Sequence, residues 1–258
     1  MKLTILTENV AGRNCLAEYS LSYLLEADKR VLFDTGSTDV FITNAHRIGV
    51  SLNSVDVVVL SHGHWDHGNG LKFFEGKPLI THPHAFVKRF RKRDMSYIGL
   101  DSSFDSLEKK YKIITTSKPY EISTEILYLG EIPRKNDFEA QETAFVFEDG
   151  TEDFVNDDSA LAVKTSKGLV VITGCAHAGV CNTIEYACSV TGINTVHAVF
   201  GGFHLRNDGE ITRKTIQYFK DKGVVNVYPS HCTSFPALTS FSREYKIFQV
   251  LTGDYFYL

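Results

Sequence analysis

The chain has 258 residues, of which 43% are apolar, 12% aromatic and 22% charged. That make-up belongs to a folded domain with a sizeable core and excludes a disordered or low-complexity chain. Lys and Arg number 27 against 31 Asp and Glu, a formal charge of −4, so nucleic acid is not an expected partner: no global positive field exists to hold its backbone.

No stretch approaches the apolar length of a membrane span, and the opening MKLTILTENVAGR lacks the apolar core and cleavage site of a leader. The five cysteines, an odd number widely spread, do not make a disulfide framework. A cytoplasmic protein with no membrane partner is expected.

The first strands come at once. LTILTE, AEYSLSYLLEA and KRVLFDTG carry β-branched and alternating apolar residues, which predicts successive antiparallel strands. STDVFITNAHRIGV spaces its apolar residues three and four apart and stops at Gly49, a helix capped by Ser37 or Thr38. VDVVVLS is a continuous apolar run, as in a strand covered on both faces, and PLITH followed by AFVKRFRKR repeats the order strand then helix. The KRFRKR run in that helix reads as a solvated face.

From Asp94 to Gly150 the chain is more polar, with short strand candidates in YKIITTSKPYEIS, TEILYLGEIP and ETAFVFEDG. An inserted arm or lid is expected over about 94–150. The second half returns to the earlier order: strands SALAVKTS and GLVVITGCA, helix NTIEYACSV, strand VHAVFGG, helix ITRKTIQYFKDKG, strand VVNVYPSH and a terminal strand within IFQVLTGDYFYL. Two related sheets packed face to face with helices outside are expected, in one α/β domain spanning 1–258.

The chemistry concentrates in SHGHWDHGNG, residues 61–70, directly after the buried strand. His62, His64, Asp66 and His67 place four metal-competent side chains within six positions. In an extended loop His62, His64 and Asp66 project to one side, and His67 follows at the start of a helix. Such a cluster has little structural use without a metal, and imidazole with carboxylate suits zinc, manganese or iron. Asp34 in FDTG reads as a tight-turn residue beside this loop. The tripeptide Asp-Thr-Gly also occurs in aspartic proteases, but it appears once and the βα order is wrong for that fold.

His-x-His-x-Asp-His after a buried apolar strand resembles the signature of the metallo-β-lactamase superfamily. FDTG at 33–36, GLVVITGCAHAG at 168–179 and VYPSH at 227–231 resemble its other motifs. GEIPR, GCAHAG, GGFHL and PSHC bring the chain closest to a subgroup resembling dihydropterin-ribofuranosylaminobenzene phosphate synthases. The resemblance implies a four-layered αβ/βα sandwich with two divalent ions, zinc first and manganese or iron as alternatives.

It assigns His62 and His64 to the first ion, and Asp66, His67 and His231 to the second. The usual third histidine of the first site is missing; only Asp157 and Asp158 stand in its place. Cys175, closely followed by His177, occupies the position of a bridging aspartate. Cys175 or His177, with an acid such as Asp158, is expected to close the first site, the combination being open.

Two such ions would activate a shared water as hydroxide against phosphorus or a carbonyl carbon, which predicts a hydrolase for a phosphodiester or phosphorylated small molecule. Asp66 and His204 are the expected catalytic groups, His204 as proton donor or phosphate contact. Arg134, next to Pro133, is a candidate phosphate contact. His82 and His84 read as loop or helix-entry residues. Two alternatives stand beside hydrolysis: a pterin–arylamine transferase, in which the ions hold a leaving diphosphate, and a non-catalytic metal or nucleotide sensor. Oligomeric state is not legible.

Overall fold

The computed structural model describes residues 1–258. In chain order its elements are β1 (Lys2–Thr7), β2 (Ser22–Glu26), β3 (Arg30–Phe33), α1 (Val40–Arg47), β4 (Val57–Val59), α2 (Trp65–Gly68), β5 (Pro78–Thr81), β6 (Arg89–Arg91), α3 (Phe104–Leu107), β7 (Lys112–Thr115), β8 (Tyr120–Glu121) and β9 (Ile126–Tyr128). There follow β10 (Phe145–Phe147), β11 (Ala160–Thr165), β12 (Gly168–Thr173), α4 (Val180–Thr191), β13 (Val196–Gly202), α5 (Glu210–Lys222), β14 (Asn226–Ser230), α6 (Phe235–Glu244) and β15 (Tyr255–Tyr257). No helix is long and apolar enough to cross a membrane.

Two sheets lie face to face. The first has the order β15-β1-β2-β3-β4-β5-β7 and the second β14-β13-β12-β11-β9-β8. In each, antiparallel strands give way to parallel ones: β1, β2 and β3 are antiparallel while β3, β4 and β5 are parallel, and β11 is antiparallel to β12, which runs parallel to β13 and β14.

β12 shows why its sequence is apolar throughout. Val170 and Ile172 join Val31, Phe33 and Phe200 in the core between the sheets, whereas Leu169 and Val171 join Ile184, Phe219 and Phe241 under the outer helices. Alternate side chains of one strand thus serve two cores. A third core packs α1 through Phe41 and Ala45 on Leu24, Leu32 and Val58. The result is the expected four layers, helix, sheet, sheet, helix.

Three details depart from the sequence expectation. Residues 94–150 form an arm only in part: β7 edges the first sheet and β8 and β9 extend the second, while β10 pairs with β6 in a two-stranded sheet outside both. The basic run is not a helix. β6 pairs with β10, and its period of two turns Arg89 into the core against Asp153 and Asp157 while Lys88 and Lys92 reach out to Glu148 and Glu152. The third is α6, which the sequence reading did not include: the Ser234 hydroxyl accepts from Ala237 N at its start, beside Pro236.

Candidate metal centre

Every candidate donor except Asp158 stands just past the C-terminal end of a strand. His62, His64, Asp66 and His67 follow β4, Cys175 and His177 follow β12, His204 follows β13, and His231 follows β14. The parallel strands of both sheets end at one rim, the place where α/β sheets open a crevice. Asp34, Ala176, His204 and His231 have φ of 56°, 55°, 50° and 51°, a left-handed conformation that costs a non-glycine residue on the order of 1 kcal/mol. Strain gathered at one rim marks a functional edge.

The donors fall into two adjoining sets. Donor atoms of His62, His64 and His177 lie within 4.8 Å of one another, as do those of Asp66, His67 and His231. Cys175 groups with His62 and His67 between the sets, its Sγ 3.2 Å from His67 Nε2. His67 Nε2 faces His231 Nε2 at 3.1 Å, and His62 Nε2 faces His64 Nδ1 at 3.0 Å.

The Nε2 atoms of His64 and His177 are buried with no hydrogen-bond partner. A buried polar atom left so costs about 1–3 kcal/mol, and a cation is the partner that satisfies several imidazoles at once. Nitrogen, carboxylate oxygen and a thiol converging in this way fit a divalent metal of the zinc type.

Asp158 is not among these donors. Its Oδ2 accepts from Ala178 N at 2.9 Å and braces the loop behind His177, while its Oδ1 is buried without a hydrogen-bond partner. His177 itself stands with His62 and His64.

Three of the imidazoles are fixed through Nδ1, which leaves Nε2 to the rim. The Asp34 carboxylate accepts from Ser61 N and Ser61 Oγ at 2.7 Å each and from His67 Nδ1 at 2.6 Å. With the Ser61 proton given to Asp34, Ser61 Oγ accepts from His62 Nδ1 at 2.9 Å. Asn9 Oδ1 accepts from His231 Nδ1 at 3.2 Å, while Glu8 Oε1 accepts from His231 N at 2.9 Å. Outer partners of this kind set the tautomer and aim of a ligating imidazole.

Asp34 is therefore more than a turn residue, and Glu8 and Asn9 were not singled out in the sequence. Their signal was the polar pair directly after the apolar strand LTILT, which runs parallel to β3 and ends at the same rim.

Gly63 explains the glycine inside the histidine loop. Its N donates to Asp157 Oδ2 at 2.7 Å, and a Cβ there would stand 1.8 Å from Ala85 O. Asp157 Oδ1 in turn accepts from Arg89 Nη2 at 2.8 Å.

The family model described as the metallo-beta-lactamase superfamily matches residues 16–187. The chain belongs to the metallo-β-lactamase superfamily. It is 35% identical over 253 residues to an uncharacterised protein of Methanocaldococcus jannaschii, covering 93% of this chain and 94% of that one. It is 31% identical over 272 residues to the 7,8-dihydropterin-6-methyl-4-(beta-D-ribofuranosyl)-aminobenzene-5'-phosphate synthase of the same organism, covering 95% of this chain and 92% of that one. A solved metal-dependent hydrolase of the superfamily aligns over 100% of this chain and 99% of its own with a TM-score of 0.89 at 29% identity.

In this member of the superfamily burial sets the charge of the donors. It pushes the pKa values of His62, His64 and His177 well below the histidine range, with neighbouring imidazoles adding to the effect, so these rings are neutral and ready to ligate. Burial also lowers His231, but its hydrogen bond to Asp66 and the charges of Cys232, Asp66 and Glu8 outweigh that and raise it to about 9. Burial holds His204 down to about 3, Arg206 adding to the shift. A lowered pKa favours the neutral imidazole, which suits the phosphate-contact role of the two expected of His204.

Two cavities open beside the donors. The smaller, about 240 Å³, touches His64, Asp66, Cys175 and His177 and is walled by Arg91 and Arg206; the larger, about 530 Å³, shares His177, His204, Phe145 and Arg206 with it. Arg134 lines neither. Its guanidinium donates to Asn156 Oδ1 at 2.9 Å and Phe154 O at 2.5 Å, so it ties two loops together, and Arg206 and Arg91 hold the cationic positions expected of it. His82 accepts from His84 N through Nδ1 at 3.1 Å, capping a short turn away from both cavities.

Proposed function

We propose that this superfamily member is a hydrolase of a phosphodiester or other small phosphorylated molecule, working at a two-ion centre. His62, His64 and His177 would hold one ion and Asp66, His67 and His231 the other, with Cys175 between them; zinc suits the mixed donors best. When bound, two divalent ions supply a nucleophile from water at neutral pH and charge stabilisation for the phosphoryl oxygens.

The chain's own residues do the rest. Arg206 and Arg91 neutralise the phosphate from the wall of the smaller cavity. The His204 ring, 4.4 Å from that of His177 and lining both cavities, offers a neutral N–H to a substrate oxygen. Asp34, Ser61 and Asn9 keep the donor rings from turning as substrate enters.

The observation that carries this reading is the meeting of two donor sets, joined by Cys175, at a cavity with arginines on its wall. The test is metal content by mass spectrometry together with turnover of an aryl phosphodiester in zinc and in manganese. Absence of turnover with every metal tried sinks hydrolysis.

A second reading is favoured by the 31% identity to the synthase: group transfer in which an arylamine replaces water as acceptor and a diphosphate leaves. A product containing the arylamine, formed in place of the free acid, would decide for it.

A further inference from the structure

Cys232 has no part in the centre described so far. It follows His231 directly, and its Sγ lies within 4.8 Å of the donor atoms of both Cys175 and His231. The two thiols line the same cavity of about 240 Å³ and are free, with no disulfide between them.

Their approach is built into the fold. Gly202, at the end of β13, carries no side chain where a Cβ would stand 2.5 Å from Cys232 Sγ and 3.2 Å from Cys175 Cα. The left-handed His231, φ 51°, follows β14 at the rim with its ring beside Asp66 and Cys232 next in the chain. Two sulfurs and an imidazole make a soft donor set that suits zinc, whereas manganese favours sites richer in oxygen.

We propose that Cys232 is a sulfur ligand at the second metal position, paired with Cys175, and that the two sulfurs together select zinc over manganese there. Each thiol gives its proton to solvent as its bond to the metal forms, and nothing is oxidised or reduced. The inference rests on the reading that the rim holds metal ions, and adds to it a ligand and a reason for selectivity.

The test loads the full chain with cobalt(II) and reads the sulfur-to-cobalt charge-transfer absorption in the near ultraviolet, alongside zinc binding in competition with manganese. Wild type is expected to show the band. Cys232→Ser and Cys175→Ser are each expected to lose part of its intensity and the double variant all of it, because the band arises from metal–sulfur bonds. Cys232→Ser is also expected to lose zinc preference over manganese by about tenfold or more, the least that a lost partner of a metal site costs.

Full intensity and full zinc preference in Cys232→Ser overturn the proposal while leaving the two-ion reading intact. A wild-type chain that takes up neither cobalt nor zinc overturns both. A measurement on wild type covers a variant that fails to fold: iodoacetamide labelling of Cys232, followed by mass spectrometry, is expected to be blocked by zinc and not by manganese, and equal labelling in the two metals overturns the proposal.

Discussion

Asp34 Oδ2 lies 2.6 Å from His67 Nδ1 in a place without solvent, and the same carboxylate takes two hydrogen bonds from Ser61, whose hydroxyl holds His62. One carboxylate from the first sheet thereby sets a ring in each donor set. Asp34→Asn keeps the size but faces an N–H or a weaker acceptor toward His67. Zinc affinity is expected to fall about 10- to 100-fold, the usual cost of an outer partner, with the fold retained. Chelator competition measures it, and unchanged affinity would deny Asp34 this role.

His231 carries a proton that metal must displace. With its pKa raised to about 9 through Asp66, and with burial keeping the Cys175 thiol protonated far above neutral pH, zinc uptake at pH 7 is expected to release protons, and affinity to climb with pH up to about 9. In the metal-free chain the His231 proton stabilises the fold fully below the ordinary histidine pKa of about 6.5, and that contribution is lost as pH rises through about 9. Calorimetry in buffers of different ionisation enthalpy counts the protons. His231→Gln should release fewer than wild type.

His177 and Asp158 come from neighbouring motifs but predict different losses. His177 stands with His62 and His64, whereas Asp158 accepts from Ala178 N. His177→Ala is expected to lower bound metal by one ion per chain on the two-ion reading, and Asp158→Asn to leave the count unchanged while loosening the loop. Metal analysis of the two purified variants decides between these roles; equal losses would mean that Asp158 is a ligand after all.

Arg206 and Arg134 make a matched pair of controls. Arg206 lines both cavities, whereas Arg134 is spent on Asn156 and Phe154. Arg206→Ala is expected to raise KM for an anionic substrate by about 10- to 100-fold, the worth of a charged hydrogen bond, with a smaller change in kcat. Arg134→Ala should leave KM alone and lower thermal stability. Steady-state kinetics with melting curves reads both.

The histidine loop and the strand-end motifs were legible because local spacing alone carries them: period two presents His62, His64 and Asp66 together, and apolar runs mark the strands before Cys175 and His231. What holds those rings was not, since Glu8, Asn9 and Asp34 meet them across separations of 33 to 223 residues. Arg134 misled because a proline-fixed turn says where a guanidinium starts and not where its partners are. The basic run misled for a similar reason. Charge made KRFRKR look solvated, but the residues that neutralise Arg89 lie more than 60 residues on, in a loop whose acids carry no periodic signal.

Arg89 is 1% exposed and faces Asp157 at 2.8 Å and Asp153 at 3.4 Å. Asp157 also accepts from Gly63 N between His62 and His64, so the pair links the core to the metal loop. Removing only the cation leaves two carboxylates buried without it, and breaking a buried pair in this way costs about 3–5 kcal/mol. Arg89→Met, which keeps much of the apolar stem, is expected to lose about that much in urea unfolding. A triple change to Met with Asp153→Asn and Asp157→Asn should recover a large part of it, because no charge is then stranded. Zinc affinity should fall in the single variant and in the triple one alike, since neither keeps Arg89 to hold the side chain at 157 against Gly63 N. A triple variant that regains stability but not affinity would separate the two duties of this ion pair, one to the core and one to the loop.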